Sequence, residues 1–571
     1  MPLEKQHLGA YAKVRNHLEK TYGLKQVHAA NPRVTAFRGQ VDVEGTDFEI
    51  EILISDWDFN EFPQVRLIGA REKFPKFAPH FGMSSRLCYL TRGETILNPF
   101  SAGNAIELCM QSVISTLASL LHDPDWVNFE TQREFESYWQ EYVVLSTSLD
   151  FGKKVASVAF IGANAALASW ITQDEVLAQR LHHANSLEKL ITAKSVWLYS
   201  IRSNVSLGST GPPRTIGEFL RWLGGVSPQT RSQVVSTLGT SVFVRAGRAY
   251  LVFETPSIRF GVSFELPQVE RVRHDDRNPK RAARAARSLP HALFGRLRNL
   301  PIDRFVVKDA SPAFVHSRNT SASLASKRIL LIGCGAVGGY LAGSLCRLGA
   351  GTGIGGELIL CDFDSLWPEN IGRHYLGYEY IGQSKSAALV KQLGREMPQS
   401  KIVPMEVDVL TLSNHFAYDL VIDATGEEGV SRKLNRLHQA ALRDGESTCP
   451  MLFVWVEGAG EGVQALWSDG HEHACFECLY EHLSDGGLKR RLSTLKSIPE
   501  LIRRGCQTYL PFAVGAAMGA AALATDMVSS WSIGDVRPRF RSRSREGAIT
   551  HPVKSHNESR QASCPACSKN A

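Results

Sequence analysis

Residues 326–348 place the tightest constraint on what this chain can fold into. The apolar run Arg328–Ile332 leads into Gly333-Cys334-Gly335-Ala336-Val337-Gly338, and a helical pattern then continues through Leu348. Three glycines at this spacing allow a sharp turn, a close backbone approach to phosphate and a helix N-terminus aimed at the anion. Further strand-like runs at Glu357–Cys361, Ile402–Val407, Asp419–Ile422 and Pro450–Val456 extend the unit into a doubly wound, Rossmann-like parallel sheet. Asp362 follows Gly338 by 24 residues, at a strand end where a carboxylate can hold ribose hydroxyls. At this point a nicotinamide-dependent dehydrogenase and an adenylating enzyme both fit.

The residues that follow separate the two. Cys361-Asp362-Phe363-Asp364 precedes Glu369-Asn370-Ile371-Gly372-Arg373, and then Gly382-Gln383-Ser384-Lys385. This run resembles the ThiF/MoeB and ubiquitin-activating adenylation family, with its D-x-D, N-x-x-R and G-x-x-K signatures. The resemblance implies that ATP and Mg²⁺ are bound, with Asp362 and Asp364 toward the ribose and Asn370, Arg373 and Lys385 toward the phosphates. Carboxylate attack on the α-phosphorus accumulates negative charge, and positioned cations offset it. A dehydrogenase has no use for cations there. Arg318 is the candidate for the arginine that family members insert into a dimer partner's site, so a homodimer through this domain is expected. The family's fourth strand usually ends D-x-T-D, with the last Asp near magnesium. Here Asp423-Ala424-Thr425-Gly426-Glu427 stands in its place, leaving the metal to Asp423, to Glu427 or mostly to ATP.

The eleven cysteines are too few for a disulfide scaffold in a chain of this length. Cys475–Cys478 and Cys564–Cys567 form two CxxC pairs, the ligand set of a closed, structural Zn²⁺ site, as in related adenylating enzymes. Cys506, in Arg503-Arg504-Gly505-Cys506 before an apolar Gly/Ala helix, matches the acyl-accepting cysteine of activating enzymes. Neighbouring arginines favour a thiolate nucleophile. Cys334, Cys346 and Cys361 read as core residues, and Cys449 offers no reading.

Residues 1–150 read as an α+β domain: a helix, a meander through Arg33–Val43, Asp47–Ser55 and Val65–Ala70, then helices at Ala105–Leu121 and Phe129–Val144. Ala78-Pro79-His80 before Cys88 is similar to the His-Pro-Asn segment of ubiquitin-conjugating enzymes, which precedes their catalytic cysteine by the same offsets. His80 occupies the asparagine's place and could donate its hydrogen bond to an oxyanion. Cys109 reads as core. Residues 151–312 read as an α+β linker domain, with strands at Ala156–Ile161, Val196–Ile201, Ser241–Phe253 and Arg259–Glu265 and a helix near Thr215–Leu223. Its basic stretch Arg271–Arg298 reads as a solvated face. The adenylation domain spans 313–571, and its Arg537–Arg545 segment reads as flexible surface.

An activating and a conjugating module on one polypeptide resembles the bacterial ubiquitin-transferase-like proteins of CBASS antiphage operons. The resemblance implies adenylation of a protein's flexible C-terminus (in that family, a cyclic-nucleotide synthase), thioesters on Cys506 and then Cys88, and conjugation to an amine. The rival readings are a sulfur-carrier adenylyltransferase with a binding-only first domain, and a nucleotide-sensing scaffold. The formal charge of +7 is too mild to imply nucleic acid. Met1–Lys5 lack an apolar signal region, and Phe512–Ala524 is too short to span a bilayer, so a cytoplasmic protein without a membrane partner is expected.

Overall fold

The computed structural model describes residues 7–568 except 70, 75–77, 83–84, 92, 148, 153–154, 161–168, 174–176, 178, 181–190, 208–210, 269–278, 320–321, 471, 486, 497–501, 505–506 and 549. It divides into two compact units. The first unit begins with the helix Leu8–Tyr22, stopped by left-handed Gly23. An antiparallel meander follows, in the order Lys25–Val27, Thr35–Val43, Thr46–Ile54, Gln64–Ile68 and Arg86–Leu87. Alternation decides which face is buried: Phe48, Ile50, Ile52 and Ile54 point one way, as a period-two strand requires. The register Phe37↔Ile52↔Val65↔Leu87 sets the short last strand beside its neighbour and delivers Cys88 immediately beyond it.

The helix Ala102–His122 closes this core with Ile106, Met110, Val113 and Leu117. By length and composition it is apolar enough to cross a bilayer, yet those residues are buried in its own domain. Cys109, at 1% exposed, belongs to the same core. The sequence pattern predicts one helix over 129–144. The chain instead makes the helices Pro124–Arg133 and Phe135–Trp139 and then the strand Tyr142–Thr147. The break reflects packing: Phe135 and Trp139 enter the aromatic core of the next domain, against Phe219, Trp222 and Phe260.

In that domain Ile191–Ser200 pairs parallel with Arg248–Glu254, which pairs antiparallel with Arg259–Glu265. The strand expected from Ser241 begins only at Arg248, because Ser241–Ala246 is helical and ends at left-handed Gly247. The basic stretch contains the helix Pro279–Phe294, which buries Ala282, Ala286, Leu289 and Leu293 and exposes Arg281, Arg284 and Arg287.

The second unit holds a seven-stranded sheet in the order Ile402–Met405, Glu357–Cys361, Arg328–Ile332, Leu420–Asp423, Met451–Glu457, Gly462–Ser468 and Phe540–Ser544. The first five strands are parallel and the last two antiparallel additions. The expected flexible segment at 537–545 is thus in part an edge strand. Its alternation buries Phe540, while Arg539 and Arg543 pair with Asp469 and Asp526. The helix Ala336–Arg347, with Gly338, Gly339 and Gly343 buried, packs against Val514–Ser532. Small residues on both helices permit that approach.

Trp139 is fully buried and its indole N–H donates to the Gly261 carbonyl at 3.1 Å. Trp139→Ala is expected to cost about 3–5 kcal/mol, read as a lower urea midpoint for the first unit.

Candidate active sites

The nucleotide-binding candidates converge at the C-terminal ends of the parallel strands, where open α/β sheets bind ligands. Gly333 has φ +86°, and a Cβ there would meet the Thr425 backbone at 2.8 Å. A Cβ on Gly338 would collide with the Gly333 carbonyl oxygen, whereas Gly335 faces open space. Gly335 caps the helix Ala336–Arg347 without a side-chain hydrogen bond, so the cap leaves room for an anion at the first helical N–H groups.

Asp362 Oδ2 accepts from Cys334 N–H at 2.7 Å and Oδ1 from Asp364 N–H at 2.8 Å. Burial raises its pKa. Each carboxylate oxygen offers a second lone pair, so ribose hydroxyls could still be received. Lys385, nearly buried, donates to Asp364 at 2.8 Å, and Asn370 Oδ1 accepts from Trp367 N–H. Arg373 lies with its guanidinium carbon 4.4 Å from the Phe512 ring centroid and donates to the Leu510 carbonyl at 3.3 Å. It thereby joins the N-x-x-R segment to the stretch just after the hairpin Ile502–Arg504/Gln507–Tyr509. Cys506 lies outside the described residues. Arg318 is exposed at the end of the helix Pro312–Ser317.

Asp423 is 1% exposed; Oδ1 accepts from Thr425 N–H and Oγ1–H, and Oδ2 accepts from Ser431 at 2.5 Å. Placed this way it braces the turn after its strand, and Glu427 is the exposed carboxylate of that turn.

His374 closes the N-x-x-R-H run Asn370–His374, but its role is not legible in the sequence. Its Nε2–H donates to the Cys334 carbonyl at 2.8 Å and Nδ1 accepts from Leu376 N–H at 3.0 Å. Burial pushes its pKa down to about 4. A neutral ring with this tautomer satisfies both bonds.

In the first unit, Cys88 is exposed on a groove of about 860 Å³ whose walls include Phe62, Leu90, Trp126, Glu130 and Arg133. Cys88 N–H donates to the His80 carbonyl, and His80 Nδ1–H donates to the Cys88 carbonyl, both at 2.8 Å. His80 Nε2 faces Glu130 at 3.2 Å, and its backbone N–H donates to Glu134 at 3.1 Å. Both imidazole nitrogens therefore already have protein acceptors. Glu130 and Glu134 escaped sequence reasoning; their i,i+4 spacing was the available signal.

The four CxxC sulfurs lie together and buried. Cys475–Cys478, Cys475–Cys564 and Cys478–Cys567 are separated by 3.8, 3.7 and 3.5 Å. Asn435 Nδ2 and the Gln561 N–H contact the sulfurs of Cys475 and Cys478.

Residues 310–564 match the ThiF family and residues 12–146 the prokaryotic E2 family B. The chain is an activating–conjugating fusion of the ubiquitin transferase-like type. It is 29% identical over 532 residues, 92% of each chain, to the ATP-dependent ubiquitin transferase-like protein Cap2 of Pseudomonas aeruginosa. The protein of the same description from Escherichia coli is 24% identical over 560 residues, again 92% of each chain. Among solved structures, Escherichia coli MccB with ATP aligns with 45% of this chain and 69% of its own, at 15% identity and a TM-score of 0.31.

Two outcomes follow from the nucleotide-site geometry. Gly338→Ala should abolish ATP binding in calorimetry while the first unit still unfolds as in the parent protein. Because His374 is held neutral, its stabilising contribution should be complete above pH 6.5 and fade as pH falls toward about 4. A His374→Gln variant should flatten that part of the stability–pH curve.

Proposed function

We propose that this enzyme uses ATP to adenylate the C-terminal carboxylate of a protein, carries the acyl group on Cys506 and then Cys88, and joins it to an amine. The observation that carries the reading is an exposed cysteine clamped to a Pro-His turn, on the same polypeptide as a complete strand–glycine–helix nucleotide cradle. The carboxylate attacks the α-phosphorus and expels pyrophosphate. The Cys506 sulfur displaces AMP, the Cys88 sulfur displaces Cys506, and the amine displaces Cys88. Covalent linkage of the two modules keeps the second thiol at high effective concentration. The substrate class implied by the resemblance is a cyclic-nucleotide synthase with a flexible C-terminus.

The cradle fits ATP: open space at Gly335, an uncapped helix N-terminus, and Asp362 bonded to the turn with Asp364 and Lys385 paired beyond it. Asn370 and Arg373 are the further phosphate contacts the resemblance implies. Asp423 as placed does not fit a Mg²⁺ ligand, since it is buried, with Oδ1 filled by Thr425 and Oδ2 held by Ser431; no step here is routed through the ion. The four sulfurs fit Zn²⁺, because Zn–S bonds of 2.3 Å put tetrahedral ligands about 3.8 Å apart, far beyond a disulfide. Zinc held by Cys475, Cys478, Cys564 and Cys567 would fasten the segment around Cys564–Cys567 to the domain. Arg318 is the residue offered to a second copy in a homodimer.

The test is product formation with a candidate substrate. Cys88→Ala should eliminate conjugates while ATP–pyrophosphate exchange persists, and Arg373→Ala should eliminate the exchange. Conjugates from the Cys88→Ala protein would overturn the transfer scheme in favour of a sulfur-carrier-type adenylyltransferase. Cys564→Ser should lose one equivalent of zinc by elemental analysis and lower the unfolding temperature of the second unit.

A further inference from the structure

We propose that Glu130 and Glu134 are positioning residues that hold His80 as a positively charged clamp on the backbone of Cys88, on which release of an acyl group from that sulfur depends. The inference rests on Cys88 being the acyl carrier, as proposed above.

Two hydrogen bonds tie Cys88 to His80 on both sides of its α-carbon: the Cys88 N–H to the His80 carbonyl and the Cys88 carbonyl to Nδ1, each at 2.8 Å. Such a pair fixes the direction in which the Cys88 side chain leaves the loop. The clamp must itself be held, since His80 has φ +65°, a left-handed conformation costly for a residue with a Cβ. Glu134 pins the strained backbone by accepting the His80 N–H at 3.1 Å. Trp126 stacks on the ring at 5.1 Å and 9°. Glu130, only 6% exposed, meets Nε2 at 3.2 Å and is itself fixed by Arg133 at 2.9 Å.

The ring's charge follows from its partners. A neutral imidazole donates from one nitrogen only, but here Nδ1 faces a carbonyl and Nε2 a carboxylate. The Glu134 carboxylate lies 3.7 Å from Nδ1. The other ionisable groups around it are Arg133 and Tyr138 from two successive helices and Cys88, with Arg86 of the strand Arg86–Leu87 lining the same groove. Burial opposes the charge, but hydrogen bonding to Cys88 and the carboxylates Glu134 and Glu130 prevail, pushing the pKa up to about 9.

In the transfer step the amine nitrogen bonds to the thioester carbonyl carbon and its extra proton goes to solvent. The C–S bond breaks and its electron pair leaves on the Cys88 sulfur. A fixed cation beside that sulfur offsets the charge it acquires. Since both ring N–H groups are already donated, His80 acts by placement and field and not through a hydrogen bond to the oxyanion.

The test uses the full-length protein with ¹⁵N-labelled histidine, His80 being assigned by the signal lost in His80→Gln. In the parent protein the ring should stay doubly protonated through pH 8; with Glu130→Gln and Glu134→Gln together it should be neutral at pH 8. In parallel, Cys88 is acetylated from an aryl thioester and its discharge by free lysine followed by peptide mass. Discharge at pH 8 should slow roughly tenfold or more in the double variant, and the deficit should shrink toward pH 6, where the ring is charged in both proteins. Glu134→Gln alone, which leaves the Glu130–Arg133 pair intact, should show the same trend more weakly and serves if the double variant does not fold. A ring that stays charged in the variants, or discharge equal to the parent's at pH 8, overturns the proposal. Conjugation surviving Cys88→Ala would instead overturn the transfer scheme and leave the titration result standing.

Discussion

One peptide unit, Cys334, governs the nucleotide half of this protein. Its N–H is held by Asp362 at 2.7 Å and its carbonyl by His374 at 2.8 Å. The glycines on either side supply freedom, and these two bonds remove it. The turn is thereby fixed with the helix N-terminus presented, so phosphate recognition does not have to bear the entropy of ordering a flexible loop. The same two side chains anchor the D-x-D and N-x-x-R-H segments, so both segments and the turn form one interlocked structure. Arg373 extends it to Leu510 and Phe512, immediately beyond the paired strands Ile502–Arg504 and Gln507–Tyr509.

The conjugating half uses a different solution to a similar requirement. Among the described residues no helix N-terminus serves Cys88; its backbone is captured by a histidine that is itself captured by two carboxylates and a tryptophan. In both halves a reactive or ligand-facing segment is rigid because its backbone groups are satisfied by side chains from elements distant in sequence.

The parallel sheet, the glycine cradle and the pairing of CxxC knuckles were legible because each has a local signature: a three-glycine spacing, alternating β and α periods, cysteines three apart. His80 and Cys88 were found by offset alone. The roles of Glu130, Glu134 and His374 were not, since they depend on contacts across about 40 to 50 residues that no local period encodes. Asp423 shows the converse. Its place after the fourth strand suggests a metal ligand, whereas its burial and its bonds to the hydroxyls of Thr425 and Ser431 are visible only in the fold. The break within 129–144 was hidden for a related reason: an aromatic-rich run reads as one amphipathic helix until the core that receives Phe135 and Trp139 is known.

Those two aromatics bear on how such a protein can have been assembled. Phe135 and Trp139 follow the helix that supplies Glu130 to His80, yet they are buried among the side chains of the neighbouring domain. A recombination joint placed at residue 150 would strand two large aromatic rings in water and open a void in the domain left behind. Residues 1–150 are therefore not a cassette to be exchanged by themselves. Ancestral shuffling, or a laboratory chimera, would have to cut before Phe135 or move the module together with the domain that follows.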